Sequence, residues 1–324
     1  MTSVSIVFRA LNEGKWFAQA LQACRNQVLP SDFSVEIVLV DSGSTDNTIS
    51  IAQEYECNVV HIDKSEFTFG RSLNLGCEHA TGEILVFISA HCIPCDEHWL
   101  YNLIVPLADG TCEYTYGRQI GLHGVTRFSE TQVFDHFYGP DNNLMQDGFF
   151  CNNANSAIVR SVWEKYKFDE KVTGLEDMVL AKAIVSEGGQ IGYVASANVT
   201  HIHEESMQQT YKRYFREALT MREIMPEVHF GLIDFLRCFS SGVGHDLKRA
   251  ARSHQLTAQF NGIFAYRFMQ YWGTYRGHNE HRELSRAQKT TYYYPGASKK
   301  KRTRRAKRTV GDRNRISVEA KSPN

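Results

Sequence analysis

Through the N-terminal two-thirds of the chain, apolar residues come in short runs cut by polar turns. Val4-Ser-Ile-Val-Phe8 reads as a first strand, and Val35-Glu-Ile-Val-Leu-Val40 as a second with the length of a buried parallel strand. Residues 16 to 26 between them are helix-like. The first strand ends in Arg9-Ala-Leu-Asn-Glu13 and the second in Asp41-Ser-Gly-Ser-Thr-Asp46. Ser44, Thr45 and Asp46 suit the cap of a helix running through Ile51 and Ala52. Val59-Val-His-Ile62 and Glu83-Ile-Leu-Val-Phe-Ile-Ser89 follow as further strands. Strands alternating with helices predict an α/β sheet, and open α/β sheets bind ligands outside the carboxyl ends of their strands. Asp41 stands at such an end.

Further along, Tyr116-Gly-Arg118-Gln closes another strand candidate, and Asn152, Asn153 and Asn155 precede a strand-like run. Amide side chains donate and accept, which suits sugar hydroxyls and turns alike. Leu180, Ala181, Ile184 and Val185 form an apolar helical face, with Glu176 and Asp177 in the first turn, where the helix dipole favours carboxylates. An extended segment from Ile191 to Val199 leads into His201-Ile-His203, whose spacing puts both imidazoles on one side of a strand. The pair suits a metal, or hydrogen bonds to Glu204 or Glu205. Residues 206 to 225 read as a helix.

Strand, polar loop, helix, strand and Asp41-Ser-Gly-Ser-Thr-Asp46 together resemble the inverting glycosyltransferases of family 2. Phe67-Thr-Phe-Gly-Arg71-Ser-Leu-Asn74 is closest to the rhamnosyltransferase-like branch. The resemblance implies a GT-A fold over residues 3 to about 225: a Rossmann-like mixed α/β sheet flanked by helices. It implies a nucleotide-sugar donor held by Arg9, Asn12, Glu13, Asp41, Arg71, Asn74, Ser89 and His91, with Asp41 accepting from the base. The family carries a DxD motif that binds a divalent cation; here Ser89 and His91 stand in its place. Imidazole ligates Mn2+ or a similar borderline cation, whereas Mg2+ prefers oxygen. His201, with His203 as an alternate, would complete a metal site with His91, so the cofactor expected is Mn2+ or Mg2+. Inverting transfer needs one carboxylate to take the acceptor's proton; the resemblance gives that role to Asp177, with Glu176 orienting. Asn152, Asn153, Asn155 and Arg118 would face the sugars.

The function so implied is transfer from a dTDP-deoxyhexose such as rhamnose, or a UDP-sugar, to a saccharide or lipid-linked saccharide in surface polysaccharide synthesis. The alternative is a non-catalytic nucleotide- or saccharide-binding module with a degenerate metal motif. A Rossmann dehydrogenase is disfavoured, because residues 9 to 14 carry only Gly14 where a glycine-rich turn is needed. A zinc hydrolase would leave Asp41 and the Arg71 loop unexplained.

Composition adds three expectations. Apolar stretches are strand-sized, and polar residues interrupt the N-terminus at once, so neither a spanning helix nor a signal peptide is expected. Eight scattered cysteines, with Cys92-Ile-Pro-Cys95 the only CxxC, suggest reduced thiols in a cytosolic chain. Finally, residues 1–225 hold 16 Lys and Arg against 29 Asp and Glu, whereas 226–295 hold 9 against 5 and 296–324 hold 11 against 2. The chain divides into the GT-A domain (1–225), an aromatic and basic helical extension (226–295) and a basic tail (296–324) expected to be disordered. The basic end suits an anionic surface at the inner face of the cytoplasmic membrane, with nucleic acid the weaker expectation.

Overall fold

A computed structural model describes residues 2–281; the predicted basic tail and the end of the predicted extension lie outside them. Four strands, β1 (Thr2–Ala10), β2 (Phe33–Asp41), β3 (Asn58–His61) and β4 (Ile84–Ser89), pair in parallel in the order β3-β2-β1-β4. The helices α1 (Phe17–Arg25), α2 (Thr48–Glu54) and α3 (Phe69–His79) join them. Both faces of this half-sheet are covered, which is why β1, β2 and β4 read as near-continuous apolar runs. Ile6 and Phe8 of β1 pack on one side with Phe17 and Leu21, while Val7 packs on the other with Val38 and Phe87.

The second half is mixed. It comprises β5 (Cys92–Pro94), α4 (Trp99–Ala108), β6 (Tyr114–Gly121), α5 (Phe128–Phe137), β7 (Asn155–Val159), α6 (Arg160–Tyr166), α7 (Glu176–Ser186) and β8 (Ile191–His201). β7 runs antiparallel between β4 and β6, β8 lies parallel to β6, and β5 closes the edge antiparallel to β8. The predicted mixed α/β sheet flanked by helices is therefore present. The crossovers from β1 lead to β2 on one side and the chain later returns to β4 on the other, so a crevice opens between β1 and β4, the topological switch point.

Two of the predicted ligand-binding asparagines belong to this scaffold instead. The register of β6 against β8 breaks between Gly117 and Gln119, and Asn155 fills the break. Its Nδ2 donates to the carbonyls of Ala197 (2.8 Å) and Arg118 (3.1 Å), and its Oδ1 accepts from Trp99 Nε1 (2.9 Å). A Cβ on Gly117 would fall 2.1 Å from the Ala197 oxygen, so glycine is what lets the strands approach here. Asn74, on α3, donates to the Phe168 carbonyl and Glu170 and accepts from Trp163 Nε1 and the Phe168 amide. Both side chains are buried and hydrogen-bonded inside the protein, so the structure gives them a scaffold role where donor- and sugar-binding groups were expected.

Three long helices complete the described residues: α8 (Met207–Ile224), α9 (Leu232–Arg252) and α10 (Leu256–His278). Ser206 opens α8 with a capping box to Gln209. Gly273 and Gly277 bring α10 tight against α8, since added Cβ atoms would lie 2.6 and 2.2 Å from the Tyr211 and Phe215 carbonyl oxygens. Arg267 of α10 grips Asp246 of α9 with two buried hydrogen bonds of 2.7 Å. Among the described residues no helix is long and apolar enough to cross a membrane.

Candidate active site

The crevice floor is made by the loops after β1 and β2, which lock each other. Asn12 takes a left-handed conformation (φ 58°), which asparagine tolerates better than most residues. From there its Oδ1 accepts the Thr45 amide (2.8 Å), and its own amide donates to Ser44 Oγ (2.9 Å). Ser44 and Thr45, expected to cap the next helix, thus serve the first loop; Asp46, one residue before the N-cap Asn47, accepts the Thr48 amide at 3.0 Å and the Gly14 amide of the first loop at 3.1 Å. Asp41 is buried, and its carboxylate accepts the amides of Gly43 and Ser44 in its own turn. It lies at the predicted strand end, holding the turn in shape.

Arg9 leaves the carboxyl end of β1 beside Ser89 of β4 and reaches Glu176 Oε1 at 3.2 Å. Its guanidinium also lies 5.1 Å over the Phe69 ring, and Arg216 of α8 lies 4.7 Å over the same ring. Nothing in the sequence singled out Arg216 from its basic neighbours on α8. Arg71, by contrast, is half-buried and pairs with Glu170 at 3.6 Å.

Glu176 and Asp177 open α7 as predicted, directly after Leu175, a non-glycine residue in the left-handed region (φ 55°, ψ 31°). That conformation costs about 1–2 kcal/mol and turns the chain so that both carboxylates enter the protein interior. Asp177 Oδ2 accepts the Asn153 amide (2.9 Å) and Oδ1 accepts the Met178 amide (2.8 Å). Burial first, and the Glu176 charge second, raise its pKa to about 7. Asn153 therefore meets the predicted base through its backbone, while its side-chain oxygen accepts from Tyr114 and Ser156. Asn152 is half-buried and accepts the Ala154 amide; Arg118 is half-buried on β6.

His91, His201 and His203 converge, each offering one ring nitrogen within 4.8 Å of the others. Their Nδ1 atoms are all engaged: His91 with Glu13 (3.2 Å), His201 with Gln119 (2.6 Å) and His203 with Glu130 (2.7 Å). A carboxylate only accepts, so Nδ1 of His91 and His203 carries a proton, and in the neutral rings Nε2 then holds the lone pair. Burial, then the neighbouring His203 and His91, push the His201 pKa well below its usual value, and its buried Nε2 has no partner among the described residues. At His91 burial acts in the same sense, but the Glu13 carboxylate outweighs it and raises the pKa.

Glu13 is thus committed to His91. Neither Glu204 nor Glu205 holds the histidines: Glu204 pairs with Lys15, and Glu205 with Arg213. Glu130 takes that place, and Arg213 pairs with it. Burial would raise the Glu130 pKa, but His203 and Arg213 outweigh it and hold it near the bottom of the carboxylate range, at about 2. Cys92 and Cys95 are free thiols.

The Glycosyl transferase family 2 model matches residues 5–167, half of the chain, covering β1 through α6. The chain belongs to glycosyl transferase family 2. As a member it is a glycosyltransferase, and the binding-module alternative gives way to an enzyme. The O-antigen chain rhamnosyltransferase WbaN of Salmonella anatum is 29% identical over 231 residues, which span 66% of this chain and 71% of that one. RfbN of Salmonella typhimurium, also an O-antigen chain rhamnosyltransferase, is 24% identical over 223 residues, 65% and 70% of the two chains. Among solved structures, the mannosyltransferase PcManGT of Pyrobaculum calidifontis, in complex with GDP-Man and Mn2+, superposes with a TM-score of 0.57 at 17% identity, covering 90% of this chain and 87% of that one. Glucosyl-3-phosphoglycerate synthase of Mycobacterium tuberculosis, in complex with Mn2+, UDP and glucosyl-3-phosphoglycerate, gives 0.52 at 18%, covering 69% and 80%. The transferase shares their GT-A fold.

Proposed function

We propose that this transferase moves a sugar, with inversion, from a nucleotide-sugar to a hydroxyl of a saccharide or lipid-linked saccharide in surface polysaccharide synthesis. The observation that carries the reading is Asp177: a carboxyl group at the start of α7 whose pKa is raised to about 7, on the side of the crevice where Arg9 meets Glu176. A base of that strength takes a hydroxyl proton near neutral pH more readily than an ordinary aspartate. Each Asp177 oxygen spends one lone pair on a backbone amide and keeps another for the acceptor. Glu176, fixed by Arg9, raises the affinity of Asp177 for the proton.

The three histidines fit a divalent cation, because each is turned by an Nδ1 partner and the buried Nε2 of His201 is otherwise without one. A cation held by His91, His201 and His203 would set positive charge against the leaving diphosphate. An all-imidazole set favours Mn2+ over Mg2+. Arg9 and Arg216, stacked on Phe69, supply fixed positive charge of the protein's own beside Glu176.

The names of the two Salmonella relatives support rhamnose as the sugar transferred; the donor proposed is a dTDP-deoxyhexose of that kind, with a UDP-sugar next. Work on a lipid-linked acceptor would place the enzyme in the cytoplasm, at the inner face of the cytoplasmic membrane. The test is turnover of a panel of dTDP-, UDP- and GDP-sugars with Mn2+, Mg2+ or EDTA, for the wild type, His91→Ala and Asp177→Asn. Donor-selective turnover lost in both variants is expected; turnover indifferent to Asp177→Asn would remove that residue from catalysis.

A further inference from the structure

The two C-terminal helices leave a large apolar face uncovered. On α10, Phe260, Phe264 and Phe268 follow one another at helical spacing and are 47%, 37% and 41% exposed, on the side away from Gly273 and Gly277. Trp272 continues the line. On α9, Leu232, Ile233 and Leu236 are 53%, 81% and 53% exposed. The rings join across the pair: Phe239 stands 6.4 Å from Phe264 and 6.2 Å from Phe268, and Phe235 stands 5.5 Å from Trp272. Contiguous apolar patches of this kind on soluble domains mark interaction sites.

The charges on these helices indicate what covers the patch. Arg237, Lys248, Arg252 and Arg276 are exposed cations, and Arg276 lies 5.8 Å over the Trp272 ring. The carboxylates on α9 are Asp234, which pairs with Arg237, and Asp246, which is buried against Arg267. The helix spacing puts Arg237 and Lys248 about three turns apart on one face of α9. In a two-fold pairing of identical faces, this cationic surface would meet itself, and like charges would oppose the contact. An anionic lipid surface instead offers hydrocarbon for the rings and headgroup charge for the cations.

We propose that the α9–α10 face docks on an anionic bilayer, with the Phe260-Phe264-Phe268-Trp272 line and Ile233 at the hydrocarbon boundary and Arg237, Lys248 and Arg276 among the headgroups. The proposal extends the reading of a lipid-linked acceptor, but its docking readouts use neither donor nor acceptor. The full chain is mixed with vesicles of phosphatidylglycerol and phosphatidylcholine, or of phosphatidylcholine alone, and separated by flotation in physiological salt. Vesicles carrying brominated acyl chains report the depth of Trp272 as the quenching that the wild type shows and Trp272→Phe lacks, the other three tryptophans being common to both.

The wild type is expected to float with the anionic vesicles and to lose fluorescence to the bromine. Ile233→Asn with Leu236→Gln, at sites too exposed to carry the core, should weaken binding roughly tenfold or more and relieve the quenching. Arg237→Glu with Lys248→Glu should weaken binding at unchanged melting temperature, which separates docking from folding. Sugar-donor turnover in solution, measured separately, should persist in all of these variants; its absence from the wild type would count against the transferase reading and leave docking standing. Equal flotation of wild type and both variants, or quenching absent throughout, overturns the proposal. So does a dimer that the Ile233→Asn, Leu236→Gln change dissociates, which would assign the face to a second copy of the chain.

Discussion

Two clusters of titratable side chains respond to burial in opposite directions. Around Asp177, desolvation and the Glu176 charge raise a carboxyl pKa to about 7; around His201, desolvation and two neighbouring imidazoles push an imidazole pKa well down. Burial always opposes the charged form, so it strengthens the carboxylate as a base and strips the imidazole of its proton. One group becomes able to take a proton near neutral pH, and the other keeps a lone pair for a cation. The clusters also differ in what holds them. Asp177 rests on backbone amides of Asn153 and Met178, whereas the histidines rest on side chains from the first loop, β6 and α5.

The sharpest way to separate the clusters is Asp177→Asn, which keeps the shape and removes the base. Single-turnover transfer should fall by about a hundred- to ten-thousandfold, while Mn2+ binding measured by calorimetry stays unchanged. His201→Ala should do the reverse to the cation, abolishing measurable Mn2+ binding. Glu130→Gln, which removes the carboxylate behind His203, should weaken that binding by roughly ten- to a hundredfold. A cation affinity indifferent to both changes would break the comparison, because the histidines would then be only packed.

The pH dependence follows from the raised pKa. The ionised, competent form of Asp177 is populated above about pH 7, so log kcat/KM should fall with unit slope below that point. Glu176→Gln removes the adjacent negative charge and should move that limb to lower pH, visible in a rate profile. Stability carries the opposite sign. The folded pKa exceeds the ordinary 3.8, so the neutral carboxyl favours folding at low pH and that contribution is lost as pH rises through about 7. Asp177→Asn should therefore raise Tm more at pH 8 than at pH 4, by a few degrees at about 2–4 °C per kcal/mol.

The smallest effect on chemistry is expected at Asn155, which stands outside both clusters. Asn155→Ala leaves Trp99 Nε1 and the Ala197 carbonyl without their buried partner, at a cost of about 1–3 kcal/mol measured by denaturant unfolding. Activity per folded molecule should hold. A selective loss of kcat at full stability would return Asn155 to the sugar site.

The sequence by itself determined the parallel half of the fold, because β1, β2 and β4 are mainly apolar and end in polar turns, a pattern that needs no distant partner to be read. It likewise determined Glu176 and Asp177 as the first turn of a helix, and it presented His91, His201 and His203 as residues of the right kind. Tertiary structure alone decided what surrounds them. Gln119 and Glu130 lie 82 and 73 residues from the imidazoles they orient, and Glu13 lies 78 from His91. No local period encodes such distances. The same holds in reverse for Asn74 and Asn155, since an amide that binds a sugar and one that plugs a strand break are the same letter, distinguished only by whether the surrounding carbonyls and amides close over it. The face of α9 and α10 was legible as aromatic and basic, but whether those rings pack inward or stay exposed rested on where Gly273 and Gly277 let α10 approach α8.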